Sequence, residues 1–160
     1  MKDFIMLSQG NGLFYNDVFP LTKERKIWLG RSKKMCGPPL YFYVPSKTFD
    51  AEKGSANRVE GDTCYIGVPM CCWITTVGKY VPDELKLSTT QPQDYVKYDN
   101  YNAIEVPKVW YIPQDYNGVM GVPITYLDKW DPDKYELLDM KSDCDLNGKR
   151  LFKRLFIRRK

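Results

Sequence analysis

The 160 residues are enough to bury a hydrophobic core, and 43% hydrophobic with 28% charged residues argues against a wholly disordered chain. Histidine is absent, which excludes Ser-His-Asp and Cys-His catalysis. No apolar run reaches the roughly 18 residues of a membrane span, so we expect a soluble, cytoplasmic protein. The net charge of +4 is unevenly spread, because residues 149–160 hold seven bases and no acid, a bias that favours a polyanionic partner.

The first thirty residues predict a strand, a helix and a second strand. Phe4–Leu7 is a short apolar run that ends at the turn residues Gly10–Gly12. Tyr15–Glu24 has helical spacing of its apolar residues, although Pro20 must kink this helix or end its first part. Lys26–Gly30 predicts another buried strand. We therefore expect a βαβ unit with parallel strands covered by helices.

The middle of the chain predicts further strands between polar loops. Leu40–Val44 has the composition of a strand, and Phe49–Asp62 that of a surface loop. Cys64–Val68 and Cys72–Val77 predict two strands joined by a short turn.

The segment from Tyr98 to Leu138 is polar and aromatic, and no repeating core element explains it. Within it, Pro123–Lys129 predicts a helix, since proline suits a first helical position. Asp131-Pro132 predicts the N-terminus of a second helix over Lys134–Leu138. The turn Leu146–Lys149, of the Asn-Gly type, then predicts a hairpin, followed by a strand over Leu151–Ile157.

These blocks, in this order, resemble the C-terminal part of the EcoRI family of adenine-specific DNA methyltransferases. The resemblance covers nearly the whole chain, and its most specific matches are Tyr98–Ile104 and Asp115–Thr125. The N-terminal strand-helix-strand, Cys71–Thr75 and the final basic strand complete it. Chance similarity would not preserve both the order and the spacing of so many blocks.

The resemblance implies chemistry that these residues do not carry. A complete enzyme of this family needs a glycine turn against S-adenosylmethionine and an Asn/Asp-Pro-Pro-aromatic loop for the flipped-out adenine. In the family both motifs precede the region matched here. Gly37–Tyr41 has two prolines, but Gly37 has no side-chain carbonyl, and Gly10–Gly12 lacks the Gly-x-Gly-x-x-Gly pattern. Neither catalytic nor cofactor-binding residues are therefore predicted, and S-adenosylmethionine is expected in the complete enzyme only.

Metal sites and disulfides are not expected either. The chain has five cysteines, an odd number, and Cys71 and Cys72 are adjacent. That spacing fits neither a disulfide framework nor a Cys-x-x-Cys zinc site. Buried free thiols are the interpretation we adopt.

Candidate nucleic-acid contacts fall into an aromatic-polar set and a basic set. The first set could stack on bases or hydrogen-bond to base edges, or its tyrosines could pack a loop-rich subdomain, which we favour. It comprises Tyr98, Asn100, Tyr101 and Asn102. The second set suits phosphates, with a solvated loop and a solvated tail as the alternative. It comprises Arg31, Lys33, Lys34, Lys149, Arg150, Lys153, Arg154, Arg158 and Arg159.

We expect an α/β fold of one domain, with two parts that form one compact unit. Residues 1–80 predict a partial Rossmann-like methyltransferase sheet, and residues 81–160 an irregular region, similar to a target-recognition region, that ends in a β-hairpin. Without its family neighbour, the strand edge near Phe4–Leu7 would be exposed, which predicts a homo-oligomer or a partner protein that covers it.

Three functions remain open. The chain is a truncated methyltransferase-like protein with no activity alone, a phage or mobile-element binding protein that inhibits a host defence, or a module that binds double-stranded DNA.

Overall fold

A computed structural model describes residues 2–30, 35, 37–45 and 56–160. The chain divides into two compact units, Met1–Tyr80 and Val81–Lys160. Strands dominate both units and helices are few and short. Within the described ranges, every helix falls short of the length and apolar character that crossing a membrane requires.

The first sheet of the N-terminal unit contains β1 (Ile5–Gln9), β2 (Trp28–Leu29) and β6 (Cys71–Thr75) in the order β1-β6-β2. Both outer strands run antiparallel to β6. The predicted pair β1 and β2 therefore point in the same direction, but β6 lies between them. Leu29 and Ile74 are buried, whereas Ile5 at the edge is 66% exposed, so helices do not cover β1 as predicted.

The connection from β1 to β2 is less helical than predicted. A 3-10 helix spans Gly10–Phe14, and the α-helix α1 spans only Phe19–Lys23. Pro20 explains the late start of α1, because it lies in the first turn, where its missing N–H is not needed. The Tyr15 carbonyl accepts hydrogen bonds from the N–H groups of both Val18 and Phe19, which makes a turn of the residues before α1.

A second, antiparallel sheet orders β3 (Leu40–Pro45), β5 (Thr63–Val68) and β4 (Arg58–Glu60) as β3-β5-β4. One expectation was wrong here, because Arg58–Glu60 lies in the predicted loop but forms a strand. The two strands predicted over Cys64–Val68 and Cys72–Val77 correspond to β5 and β6, which belong to different sheets. Met70, with a φ of 55°, turns the chain between them.

The sheet of the C-terminal unit corrects the prediction of an irregular region. It consists of β7 (Ile104–Glu105), β8 (Met120–Pro123), β9 (Tyr135–Lys141) and β12 (Arg154–Arg159), in the order β7-β8-β12-β9. The pair β7 and β8 is parallel and the other pairs are antiparallel. Its core is apolar and fully buried, with Val106, Ile112, Met120, Val122, Tyr126, Leu155 and Ile157.

Of the two helices predicted in this unit, one region is helical and the other is a strand. Ile124–Lys129 is a 3-10 helix that follows Pro123, so the helical region is correct but not its type. The predicted helix over Lys134–Leu138 was wrong, since β9 occupies it. Tyr135 and Leu137 are buried and Glu136 is exposed, the two-residue alternation of a strand.

The predicted hairpin is confirmed. β10 (Asp145–Leu146) pairs with β11 (Lys149–Arg150), and Asn147 and Gly148 both have positive φ, at 51° and 73°. Such angles define the tight turn that an Asn-Gly pair favours. The final strand begins at Arg154 rather than at Leu151, and it pairs with β8 and β9 instead of extending the hairpin.

Candidate nucleic-acid interface

The structure places most of the sequence-predicted contacts in the C-terminal unit. Arg31, Lys33 and Lys34 lie outside the described residues. The aromatic-polar set lies just before β7, and the remaining bases lie on β11, on β12 and between those strands.

A buried ion pair between Glu105 on β7 and Arg154 on β12 forms the centre of this region. Their side chains are 6% and 14% exposed, and Arg154 Nη2 lies 2.8 Å from Glu105 Oε1. Arg154 Nε donates to Oε1 at 3.0 Å and to Oε2 at 3.1 Å, so the contact is bidentate. Arg154 Nη1 also donates to the carbonyls of Phe152 at 3.0 Å and Lys153 at 3.3 Å. Arg154 thus ties the hairpin exit to the sheet.

Burial alone would lower the pKa of Arg154. The hydrogen bonds and the charge of Glu105 outweigh that effect, so the pKa of Arg154 is raised above its ordinary value. The guanidinium is therefore charged and internally paired, and its donors are directed at the protein. This geometry makes Arg154 a structural residue rather than a surface phosphate contact.

Tyr98 is also internal. Its side chain is 5% exposed, its hydroxyl donates to Glu105 Oε2, and its ring stacks on Phe156 at 5.6 Å between centroids. Burial, followed by the hydrogen bond to Glu105 and its charge, raises the pKa of Tyr98 well above its ordinary value. Gly121 provides space for this ring, since a Cβ there would lie 2.7 Å from Tyr98 Cζ. The ring of Tyr98 packs the core here and presents no face to a base.

The residues after Tyr98 hold the hairpin with their side chains. Asn100 Nδ2 donates to the Asp143 carbonyl at 2.6 Å, and Asn100 Oδ1 accepts from the Asp145 N–H at 3.1 Å. Asp99 Oδ2 accepts from the Gly148 N–H at 2.8 Å, at the turn itself. Asn100 therefore uses both its amide donor and its carbonyl acceptor in hydrogen bonds within the protein. Asn102 is exposed.

Tyr101 is attached to the same hairpin. Its hydroxyl donates to Asp143 Oδ1 at 2.6 Å, and its ring meets Phe156 edge-to-face at 5.2 Å. The hydrogen bond to Asp143 raises the pKa of Tyr101 to about 12 and lowers the pKa of Asp143. Lys141 Nζ lies 5.8 Å from the centre of the Tyr101 ring.

The other bases differ in their pairing. Arg150 contacts Asp145 at 3.0 Å and Arg158 contacts Glu136 at 2.7 Å, both as exposed pairs of the kind that stabilise little. Lys149 and Arg159 are exposed and Lys153 is half-buried, and none of these three has a salt bridge with a residue that the structure describes. They are the cations best placed for phosphates.

Arg159 also borders an open cavity of about 370 Å³. The cavity is rich in cations, and the Lys160 N–H donates to the Lys134 carbonyl at 3.0 Å beside it. Its lining consists of Gln114, Asp133, Lys134, Tyr135, Arg159 and Lys160. Lys134 is paired with Asp131 at 3.3 Å, so Arg159 and Lys160 are the lining cations without a salt bridge to a described residue.

Sequence reasoning missed the two carboxylates that organise this region, Glu105 and Asp143. A signal for Glu105 exists, because it is the one charged residue in the run Ala103–Val106. A carboxylate flanked by apolar neighbours on a strand needs a buried cation or donor as its partner. Asp143 has no comparable signal in its polar surroundings.

The turn after β1 does not fit S-adenosylmethionine. A Cβ on Gly10 would lie 2.7 Å from Met35 Sδ and 3.3 Å from the Met70 carbonyl, and Met35 is 2% exposed. The protein itself fills the space beside this glycine, so no cradle for a ligand exists there. Across the described ranges, no group of three or more His, Cys, Asp or Glu residues is arranged to hold a metal ion. The cysteines among them, Cys64, Cys71, Cys72 and Cys144, are free and buried.

The comparisons with known sequences point to one family of methyltransferases. The family model described as adenine-specific methyltransferase EcoRI matches residues 1–160. The chain is 35% identical over 169 residues to the type II methyltransferase M.EcoRI of Escherichia coli, covering 99% of the chain and 51% of that protein. It is 34% identical over 143 residues to the type II methyltransferase M.MpnI of Mycoplasma pneumoniae, covering 86% of the chain and 44% of that protein. The chain thus spans about half the length of the curated relatives it matches. No solved structure shows significant similarity to it.

Proposed function

The chain belongs to the EcoRI family of adenine-specific methyltransferases, and from this premise we propose that it supplies the DNA-contacting side of such an enzyme. The contacts come from the hairpin β10-β11 and the strand β12, with double-stranded DNA as the ligand. The methyl-transfer centre comes from a cofactor-binding half, in the same or in a separate polypeptide.

One observation carries the DNA-binding proposal. Arg154 is bound to Glu105 and to the carbonyls of Phe152 and Lys153, so the chain that leaves the hairpin is fixed to the sheet. The cations nearby, Lys149 and Lys153, therefore have a backbone in a defined position. Phosphate contacts made from an ordered backbone orient a protein on a duplex, and each loses less conformational entropy than one from a mobile tail.

Two observations support the assignment of the DNA contacts to this chain and of methyl transfer to a cofactor-binding half. The 160 residues contain neither a Gly-x-Gly-x-x-Gly pattern nor an Asn/Asp-Pro-Pro-aromatic loop, and Met35 fills the space beside Gly10. The edge strand β1 exposes Ile5 and Leu7, which suits the addition of a neighbouring strand. We therefore propose that β1 is where the cofactor-binding half, or another covering chain, attaches.

DNA binding is tested by fluorescence anisotropy with a labelled duplex over a range of salt concentrations. Lys149→Gln, Lys153→Gln and Arg159→Gln are each expected to weaken binding and to reduce the slope of log K against log salt by about 0.9 per lost phosphate contact. Lys79→Gln and Lys86→Gln, at exposed lysines elsewhere, serve as charge-matched controls. Equal losses in both sets, or no duplex binding by the unmodified chain, would refute the proposed interface.

Methyl transfer is tested separately. Isothermal titration calorimetry of the 160-residue chain with S-adenosylmethionine is expected to give no binding heat, with M.EcoRI as the positive control. Micromolar affinity for S-adenosylmethionine, or methylation of adenine by the chain alone, would contradict the assignment of methyl transfer to another half. Neither result would affect the DNA-binding test.

A further inference from the structure

The small sheet β3-β5-β4 presents aromatic side chains and an arginine on one face. In its register, Tyr43 lies opposite Tyr65 on one side and Arg58 lies opposite Tyr65 on the other. Tyr41 precedes Tyr43 by two residues on the same strand, so it points to the same side of the sheet. We call these four residues, Tyr41, Tyr43, Arg58 and Tyr65, the tyrosine face.

The arginine is stacked on the tyrosine rings. Arg58 Cζ lies 4.4 Å from the ring centre of Tyr41 and 4.8 Å from that of Tyr65, which are cation-π distances. Glu60 contacts the guanidinium through Nε at 3.3 Å. The rings therefore hold the guanidinium plane in place while the carboxylate binds at its edge.

Much of the tyrosine face is open to solvent. The side chain of Arg58 is 49% exposed, and Tyr43 is 65% and Tyr41 37% exposed. Ordered aromatic surface of this kind on a small antiparallel sheet is the arrangement on which unpaired bases stack. The backbone beneath it is also fixed, because the Gly67 N–H donates to Asn57 Oδ1 at 3.2 Å and the Ala56 carbonyl occupies the position where a Gly67 side chain would lie.

We propose that the tyrosine face binds unpaired bases of single-stranded DNA by stacking, with Tyr43 and the Arg58 guanidinium as the contact planes. Bases in a duplex are stacked on one another and expose only their edges in the grooves, so a flat aromatic surface cannot reach their faces. Electrostatic binding to a duplex needs several cations, whereas this face has one arginine that Glu60 partly neutralises. The chemistry therefore favours ring stacking over backbone contacts.

This inference is independent of the duplex contacts proposed for residues 81–160. The tyrosine face lies within residues 41–65, and its ligand is an unpaired base rather than a duplex phosphate. Duplex binding that depends on Lys149 can fail while single-strand binding that depends on Tyr43 holds, and the reverse is equally possible.

The test is fluorescence anisotropy of the full chain with a labelled single-stranded oligonucleotide and with an abasic oligonucleotide of the same length. Tyr43→Ala is expected to weaken binding to the base-containing strand about 5-fold to 150-fold, the range for loss of one stacked base, with little change for the abasic strand. Tyr43→Phe keeps the ring and is expected to retain the affinity.

Two controls match Tyr43 in exposure or in position. Tyr15, at 61% exposure, lies outside this sheet, and Phe42, at 45%, lies on β3 but points to the opposite face. Tyr15→Ala and Phe42→Ala are expected to leave single-strand binding unchanged. Wild-type affinity in Tyr43→Ala, equal affinity of the unmodified chain for base-containing and abasic strands, or equal losses in all three alanine variants would overturn the proposal. Circular dichroism melting of each variant separates loss of binding from loss of fold.

Discussion

Arg154 and Glu105 form a bidentate pair across 49 residues of sequence, with Nη2 at 2.8 Å and Nε at 3.1 Å from the two carboxylate oxygens. The pair connects β12 to β7, although β8 lies between those strands in the sheet. It also brings together Tyr98, Glu105 and the carbonyls at the hairpin exit. Several elements of the C-terminal unit therefore depend on one charge pair.

Removing one partner of this pair is expected to lower the unfolding free energy strongly. Glu105→Met and Arg154→Met each leave one buried charge without its counterion, which typically costs about 3 to 5 kcal/mol of unfolding free energy. The double variant Glu105→Met with Arg154→Met is expected to recover much of that loss. Urea unfolding of the single and double variants measures the coupling, and Lys153→Gln is the control. Additive losses in the cycle would contradict the assigned pairing.

Gly121→Ala is expected to destabilise the C-terminal unit by about 1 to 3 kcal/mol, the usual effect of overpacking a core. The new Cβ would lie 2.7 Å from the buried Tyr98 ring, which cannot move without losing its contacts with Glu105 and Phe156. Gly12→Ala is the matched control, since its Cβ would meet only Ser8 Oγ at 3.9 Å. An equal loss of stability in the two alanine variants, measured by thermal or urea unfolding, would refute this packing.

The Tyr101–Asp143 hydrogen bond predicts a loss of stability at alkaline pH. The pKa of Tyr101 is raised from 10.0 to about 12 in the folded chain, so its contribution is complete below pH 10.0 and is lost as pH rises through about 12. Urea unfolding across this range is expected to show a decline in wild type that is smaller in Tyr101→Phe. Identical alkaline profiles for the two proteins would exclude this hydrogen bond as the cause.

The same bond predicts a loss at acid pH. The pKa of Asp143 is lowered from 3.8, mainly by the Tyr101 hydroxyl, so its contribution is present above pH 3.8 and is lost as pH falls through the lower folded value. Asp143→Asn, studied by urea unfolding over the acid range, is expected to remove that part of the pH dependence. Asp133→Asn is a control at another exposed carboxylate.

The exposed edge of β1 predicts self-association of the isolated chain. Ile5 is 66% and Leu7 37% exposed on a strand that ends the order of its described sheet. Size-exclusion chromatography with light scattering is expected to give a mass above the monomer, and Ile5→Lys is expected to return it to the monomer. Val77→Lys, at an exposed residue beyond β6, is expected to have no effect. A wild-type monomer would count against an association through this edge.

Local signals in the sequence were sufficient where a few adjacent residues decide the structure. Asn147-Gly148 gave the hairpin, since both residues tolerate positive φ. Ile5–Leu7 of the first apolar run lies on β1, and the run Leu40–Val44 lies on β3. Asp131-Pro132 misled the prediction because its capping pattern is shared by a turn. Asp131 Oδ1 accepts from the Asp133 N–H at 3.0 Å, and a strand follows instead of a helix.

Long-range pairings were beyond local signals. β6 pairs with residues 5–9 and 28–29, which are distant in sequence, and local periodicity carries no information on such pairings. The candidate site also depends on a long-range pairing. Arg154 looks like the neighbouring bases in sequence, and only the buried Glu105, 49 residues away, makes it internal.

Three consecutive residues, Asp99, Asn100 and Tyr101, hydrogen-bond through their side chains to the hairpin region of residues 143–148. The partners of Asp99 and Asn100 are backbone groups, which a replacement segment over residues 143–150 would keep as long as it forms the same turn. Tyr101 instead needs the side chain of Asp143 as its acceptor. A transplanted hairpin is therefore expected to fit this unit only if it keeps the Asn-Gly turn and a carboxylate at position 143.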